Sequence, residues 1–229
     1  MTNFPFDIVG FDLDGTLFDT SADLSAAVNA TLASAGAKPL EFATLRTFIG
    51  GGGRHMLAQA LSTQLPVDEP LLDQLYARFL VEYNARIADE THPFPGLSEA
   101  LDDLTSRGVK LAVVTNKRED LTLALLDKLD WRKRFTAIIG GDTLGRDKMK
   151  PDPAPIFAMI ERCGGTIGNA RAAFAGDSRF DVDAARNAGI PSIVVPFGFS
   201  DRPVQELGAD AIIQHYDELV PTLMHLGER

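Results

Sequence analysis

Six short apolar runs set the architecture of this chain. They are Ile8-Val9-Gly10-Phe11, Val109-Lys110-Leu111-Ala112-Val113-Val114, Ala137-Ile138-Ile139, Ala172-Ala173-Phe174-Ala175, Ser192-Ile193-Val194-Val195 and Ala211-Ile212-Ile213. Near-continuous apolar strands read as buried on both faces, the habit of a parallel sheet. Helical stripes lie between them. Leu97, Ala100, Leu101 and Leu104 share a face and end at Gly108; Ile156, Met159, Ile160 and Cys163 precede Gly164; Val182, Ala185 and Ala188 precede Gly189. A glycine just past an apolar stripe is a helix stop. Strand alternating with helix predicts right-handed crossovers and an α/β fold, a doubly wound, Rossmann-like parallel sheet.

The alternation breaks once. From Gly15 to about Pro95 no convincing strand is visible. Three helical faces appear instead: Leu24, Val28 and Leu32; Met56, Leu57, Ala60 and Leu61; then Leu71, Leu72, Leu75, Phe79 and Tyr83. Thr20-Ser21-Ala22-Asp23 offers a capping signal for the first helix. His92-Pro93-Phe94-Pro95-Gly96 reads as a stiff return linker. The expected division is an α/β core from residues 1–17 and 93–229, with a helical insertion over 18–92.

The strongest local signal is Phe11-Asp12-Leu13-Asp14-Gly15-Thr16-Leu17, where the first strand should end. Residues two apart on a strand project to one face, so Asp12 and Asp14 can converge. Ligands of open α/β sheets bind beyond the carboxyl ends of the strands. Two acids there repel unless a cation or a shared proton relieves them. A hard metal ion fits, with Mg²⁺ favoured where phosphate also binds. A polar turn with one capping Asp accounts for one acid but poorly for two.

Three more loops carry polar chemistry. Gly176-Asp177-Ser178-Arg179-Phe180-Asp181 follows the fourth strand. Asp177 is the better candidate for direct metal contact; Asp181 would hold a metal-bound water or orient a lysine, and a helix N-cap at Ser178 or Asp181 is the plain alternative. Thr115 and Asn116 end the second strand in donors suited to phosphoryl oxygens, although Thr-Asn is also common turn chemistry. Lys148-Met149-Lys150-Pro151 brings positive charge to a third loop, where one lysine would bind phosphate as a point charge.

Together these loops resemble the haloacid-dehalogenase-like hydrolase superfamily, and within it enzymes of the phosphoglycolate-phosphatase type. Asp12-Leu13-Asp14-Gly15-Thr16-Leu17, Thr115-Asn116, Lys150-Pro151-Asp152-Pro153-Ala154-Pro155 and Gly176-Asp177-Ser178-Arg179 with Asp181 carry the likeness over nearly the whole chain. The resemblance implies that the helical insertion is a cap that closes over substrate. It implies that Asp12 attacks phosphorus to form an aspartyl-phosphate, and that Asp14 serves as general acid and then base. Mg²⁺ would be held by Asp12, the Asp14 carbonyl and Asp177. Thr115, the Asn116 backbone and Lys150, favoured over Lys148, would bind the transferring oxygens. Dehalogenases lack the second acid. Sugar-phosphate mutases of similar cap type carry Val and His where this chain has Thr16 and Leu24. A Mg-dependent phosphomonoesterase for a small organic phosphate, best 2-phosphoglycolate, is therefore expected; a mutase and a catalytically idle binding module are the alternatives.

In the insertion, Ile49-Gly50-Gly51-Gly52-Gly53-Arg54-His55 leaves backbone N–H groups accessible. Gly52 and Gly53 could form an anion-binding helix start. Arg54 could pair with a substrate carboxylate or a second phosphate, or stand in solvent on a flexible connector. Phe197-Gly198-Phe199-Ser200 would line the cleft or form a simple turn.

Composition limits the partners. The chain has 229 residues and 22 Lys+Arg against 32 Asp+Glu, a net charge of −10. That balance argues against a general nucleic-acid or membrane-surface binder but admits a small anionic metabolite. One cysteine, Cys163, forms no internal disulfide, which suits a reducing compartment. No secretory signal or bilayer-length apolar stretch is visible, so a cytoplasmic protein is expected. Monomer and homodimer both stay open.

Overall fold

The structure, a computed structural model, describes residues 4–228, the side chain of Arg146 excepted. Residues 1–3 and 229 of the expected core lie outside the described residues. In chain order, β1 (Ile8–Phe11) leads to the short β2 (Phe18–Asp19), then α1 (Ser21–Ser34), α2 (Phe42–Arg46), α3 (Gly53–Ser62) and α4 (Glu69–Ala85). The chain returns through β3 (His92–Pro93) to α5 (Leu97–Ser106), β4 (Lys110–Val114), α6 (Glu119–Lys128), β5 (Ala137–Ile139) and α7 (Ala154–Arg162). It finishes with β6 (Ala172–Gly176), α8 (Arg179–Ala188), β7 (Ser192–Val194), β8 (Ala211–Ile212) and α9 (Leu219–Leu226).

The main sheet is parallel, in the order β5-β4-β1-β6-β7-β8. All six expected runs are its strands. β1 is central, and the chain builds outward to one side through β4 and β5 before crossing to β6 on the other. The strand order reverses at β1, which opens a crevice beyond its carboxyl end. Alternation within the strands divides the core. Ile8, Ala112, Val114, Ala172 and Phe174 face one side, packed with Ile156, Met159, Ala184 and Ala185 of α7 and α8. Val9, Phe11, Leu111, Val113, Ala173 and Ala175 face the other, with Leu97, Leu101, Leu125, Leu219 and Leu223. Gly189 sits in the left-handed region at φ 72° and ends α8, the stop expected there.

The insertion differs from expectation in three details. β2 and β3 form an antiparallel pair, Phe18 with Pro93 and Asp19 with His92, where only a linker is expected. Two-residue strands carry no periodicity to read. Helix α2 is likewise too short to leave a stripe. Thr20 stands at the N-cap of α1, but its side chain caps nothing; its hydroxyl donates to Asp14 Oδ1 at 2.7 Å instead. The three expected apolar faces do pack, with α1 and α3 against α4 around Leu24, Val28, Leu32, Met56, Leu61, Leu75, Phe79 and Tyr83. No described helix is long and apolar enough to cross a membrane.

Candidate active site

The chain leaves β1 through a tight turn whose hub is the Leu13 carbonyl, which accepts from the backbone N–H groups of Thr16, Leu17 and Phe18. Gly15 makes the turn possible. Its φ of 84° lies in the left-handed region, and any Cβ there would overlap the Asp177 carboxylate. Asp12 and Asp14 are thereby buried at the tip of β1.

Neighbouring strands bring the other loops to the same point. Lys150 Nζ lies 2.9 Å from Asp12 Oδ1 and 2.6 Å from Asp181 Oδ1, and it donates to the Val114 carbonyl at 2.8 Å. Asn116 seats that lysine: its Oδ1 accepts from Lys150 N–H, while its Nδ2 donates to Lys150 O and to Gly50 O of the insertion. With its amide so engaged, Asn116 has only its backbone for a ligand. Thr115 is buried beside it, its hydroxyl accepting from Lys117 N–H.

Asp181 is fully committed to positioning. Its Oδ2 accepts from Asp177 N–H, Ser178 N–H and the Ser178 hydroxyl, a capping box at the start of α8, and its Oδ1 takes Lys150. The cap reading and the lysine-orienting reading of this residue thus hold together.

Asp12, Asp177 and Asp181 offer carboxylate oxygens all within 4.8 Å of one another. Asp177 Oδ1 is buried and accepts no hydrogen bond, and Asp12 Oδ1 has no well-directed donor despite its nearness to Lys150. Asp177 Oδ2 accepts from Phe199 N–H at 2.5 Å. Gly198 leaves room for it, since a Cβ at that position would overlap the same carboxylate. Orphaned hard oxygens beside one another are the donors that a small divalent cation takes. The residues present therefore fit Mg²⁺, with Asp181 already saturated and Asp12 and Asp177 free to ligate.

Electrostatics agree. Burial pushes Asp12 up to about 6 against the pull of Lys150, with Asp181 and Asp14 adding to the rise. Burial, then Asp181 and Asp12, raise Asp177 well above the usual carboxylate range. For Lys150, burial works against the charge, but Asp12 and Asp181 outweigh it and hold the amine above its ordinary value.

A cavity beside Asp12 and Asp14 is lined by Gly50, Gly52, Gly53, Met56 and Tyr83 of the insertion and by Thr115, Asn116, Lys117 and Arg118 of the core. Gly52 and Gly53 stand at the start of α3 and line this cavity. Arg54 does not line this cavity. It turns to Glu69 at 2.5 Å and Asp73 at 2.9 Å and borders an adjoining groove.

Two engaged residues escape a reading of the sequence. Lys117 is buried and donates to both oxygens of Asp14, at 2.8 and 3.0 Å. For its amine, burial opposes the charge, but Asp14 and then Tyr83 carry it above the ordinary value. Thr20 holds the same Asp14 Oδ1. A lysine directly after Thr115-Asn116, at a strand's carboxyl end, was the available signal for the first; Thr20 gave none, because its motif also spells a helix cap.

Known proteins resemble this chain in sequence and in fold. A phosphoglycolate phosphatase of Agrobacterium fabrum is 44% identical over 216 residues, 93% of this chain and 90% of that protein. One from Caulobacter vibrioides is 42% identical over 91% of this chain and 86% of that protein. Among solved structures, a predicted phosphoglycolate phosphatase of Haemophilus somnus superposes with a TM-score of 0.86 at 25% identity, covering 95% of this chain and 98% of that one. CbbY from Rhodobacter sphaeroides, solved in complex with phosphate, gives 0.76 at 26% identity, covering 93% and 96%. The family model for haloacid dehalogenase-like hydrolases matches residues 9–195. With Asp12 and Asp14, Thr115, Lys150 and Asp177 gathered at one strand-order reversal, this chain belongs to the haloacid dehalogenase-like hydrolase family.

Proposed function

We propose that the protein is a Mg²⁺-dependent phosphomonoesterase for a small organic phosphate, with 2-phosphoglycolate the best candidate. The observation that carries this is the convergence of four loops at the carboxyl end of β1, beside the cavity, with the Asp12 carboxylate 2.9 Å from the Lys150 ammonium and within 4.8 Å of Asp177. The activity named for the relatives supports the substrate. The insertion over 18–92 is the cap in this reading, and its glycine loop covers the cavity.

Asp12 attacks phosphorus through a carboxylate oxygen, the phosphorus–oxygen ester bond breaks, and Asp14 delivers a proton to the departing alkoxide. Water then attacks the aspartyl-phosphate, gives its proton to Asp14, and releases inorganic phosphate with Asp12 restored. Lys150, Thr115 and the Asn116 backbone hold the phosphoryl oxygens during both transfers, where positioning and charge neutralisation dominate. Asp181 acts through Lys150. Asp12, Asp177 and the Asp14 carbonyl would hold Mg²⁺, which when bound supplies positive charge to the phosphoryl group. Buried carboxylates and a narrow cavity favour small metabolites over macromolecules. The lone, buried Cys163 accords with a reducing, cytoplasmic setting.

Phosphate release from 2-phosphoglycolate, sugar phosphates, nucleotides and pyrophosphate, with Mg²⁺ and with chelator, tests the reading. Turnover of a small monoester that chelator abolishes is the expected result. Product that is isomerised with no free phosphate would replace hydrolysis with mutase chemistry.

A further inference from the structure

Asp14 is held on both of its oxygens. Lys117 Nζ contacts both of its oxygens, and Thr20 adds a third hydrogen bond to Oδ1. A carboxyl group that passes a proton to a leaving oxygen needs one oxygen facing that atom. In the arrangement observed, Lys117 and Thr20 occupy Oδ1, and Oδ2 carries the ammonium alone. Moving Lys117 away clears Oδ2 for the ester oxygen.

Lys117 cannot leave for nothing. Its side chain is 4% exposed, and its Nζ also lies over the ring of Tyr83, 4.6 Å from the ring centre, contributed by α4 of the insertion. Drawn off Asp14 into this buried space with no new partner, the ammonium would be an uncompensated charge, which is strongly unfavourable. Drawn onto a second anion, it exchanges one buried ion pair for another. Lysine's flexible stem suits such an exchange. The other cation lining the cavity, Arg118, is tied to Asp120 through two hydrogen bonds of 3.0 and 2.8 Å. Arg54 is held by Glu69 and Asp73 outside the cavity.

We propose that Lys117 is a positioning residue that parks Asp14 until an anionic group of the substrate, of the carboxylate class, takes the ammonium and frees the carboxyl for proton transfer. Selectivity then arises in the chemical step, where binding energy from a remote group is realised. The proton path is the one already given: Asp14 to the ester oxygen, and water to Asp14. This inference rests on the phosphomonoesterase reading and names what its substrate must carry beyond phosphate.

The test compares 2-phosphoglycolate with ethyl phosphate, which lacks the carboxylate, in the wild type, Lys117→Met and Lys117→Arg. Wild type favours phosphoglycolate. In Lys117→Met the ratio of the two kcat/KM values falls at least about tenfold, chiefly through kcat, while Lys117→Arg keeps most of the preference. Loss of both activities by one common factor in a Met variant with an unchanged melting temperature overturns the proposal, because that is what a merely structural lysine produces. Should the Met variant not fold, the wild type decides: added acetate produces a saturable rise in methyl phosphate turnover, and a flat or purely inhibitory response overturns the proposal. If the wild type releases phosphate from no ester, the phosphomonoesterase reading fails and takes this inference with it. Turnover of both esters with an unaltered ratio in the variant sinks the Lys117 role alone.

Discussion

Asp181 Oδ1 receives Lys150 Nζ at 2.6 Å, while the other oxygen of the same carboxylate anchors the first turn of α8. One side chain thus fixes a helix start and the cation that faces Asp12. Asp181→Asn should lower the stability by about 1–2 kcal/mol through the weakened cap. It should also lower kcat more than it raises KM, since Lys150 loses its aim. Thermal melting with steady-state kinetics measures both; a stability loss with unaltered kcat would confine Asp181 to the helix.

Asp12→Asn keeps the volume of the side chain and removes the nucleophile. Turnover should fall roughly 10⁴-fold or more with the fold retained. Mass spectrometry of acid-quenched wild type should find phosphate on Asp12 during turnover. Substantial residual hydrolysis in the variant would refute covalent catalysis at this residue.

Gly198 leaves the space occupied by the Asp177 carboxylate. Gly198→Ala should displace that carboxylate and weaken Mg²⁺ binding by roughly tenfold or more. Titration calorimetry of Mg²⁺ against the folded variant reads this directly. Unchanged affinity would remove Asp177 from the metal site.

Metal binding should be linked to protons. Asp12, lifted by burial to about 6, must be ionised to ligate a cation. At pH below about 6 the free protein carries its proton, so Mg²⁺ binds more weakly there and expels a proton as it binds. Asp177, also raised, acts in the same direction. The raised pKa of Asp12 means that the metal-free fold gains from its proton at low pH and loses that gain as pH rises through about 6. Calorimetry in buffers of different ionisation enthalpy should report more protons released at pH 5.5 than at pH 8. A constant proton count would contradict the assignment.

Arg54→Ala removes exposed ion pairs to Glu69 and Asp73, a change worth within about 1 kcal/mol of stability. With the arginine held outside the Asp12 cavity, KM for phosphoglycolate and for ethyl phosphate should shift alike. A rise confined to phosphoglycolate would return the carboxylate-binding role to Arg54.

The legible part of the molecule follows from burial. Strands sealed on both faces must be apolar throughout, so Ile8–Phe11 and Lys110–Val114 announce themselves, as do acids too many for a turn at Asp12 and Asp14. Pairings between distant segments leave no such mark. Lys117 lies 103 residues from Asp14; its place after Thr115-Asn116 sets it at a strand end, but the local sequence leaves open whether its ammonium turns inward or to solvent. Thr20 misleads for a related reason: a hydroxyl beside a helix start serves equally as a cap or as a partner for a neighbouring acid, and only the fold decides. The antiparallel pair of Phe18 and Pro93 is too brief for any pattern.

The amide of Asn116 joins two parts of the molecule that the chain keeps far apart. Its NH₂ serves the Gly50 carbonyl of the helical unit and the Lys150 peptide at once. Were that unit to swing outward, the amide would lose one acceptor and hang on the lysine's peptide alone. Any such swing would therefore be felt at the Lys150 peptide, with no side chain travelling between the two parts.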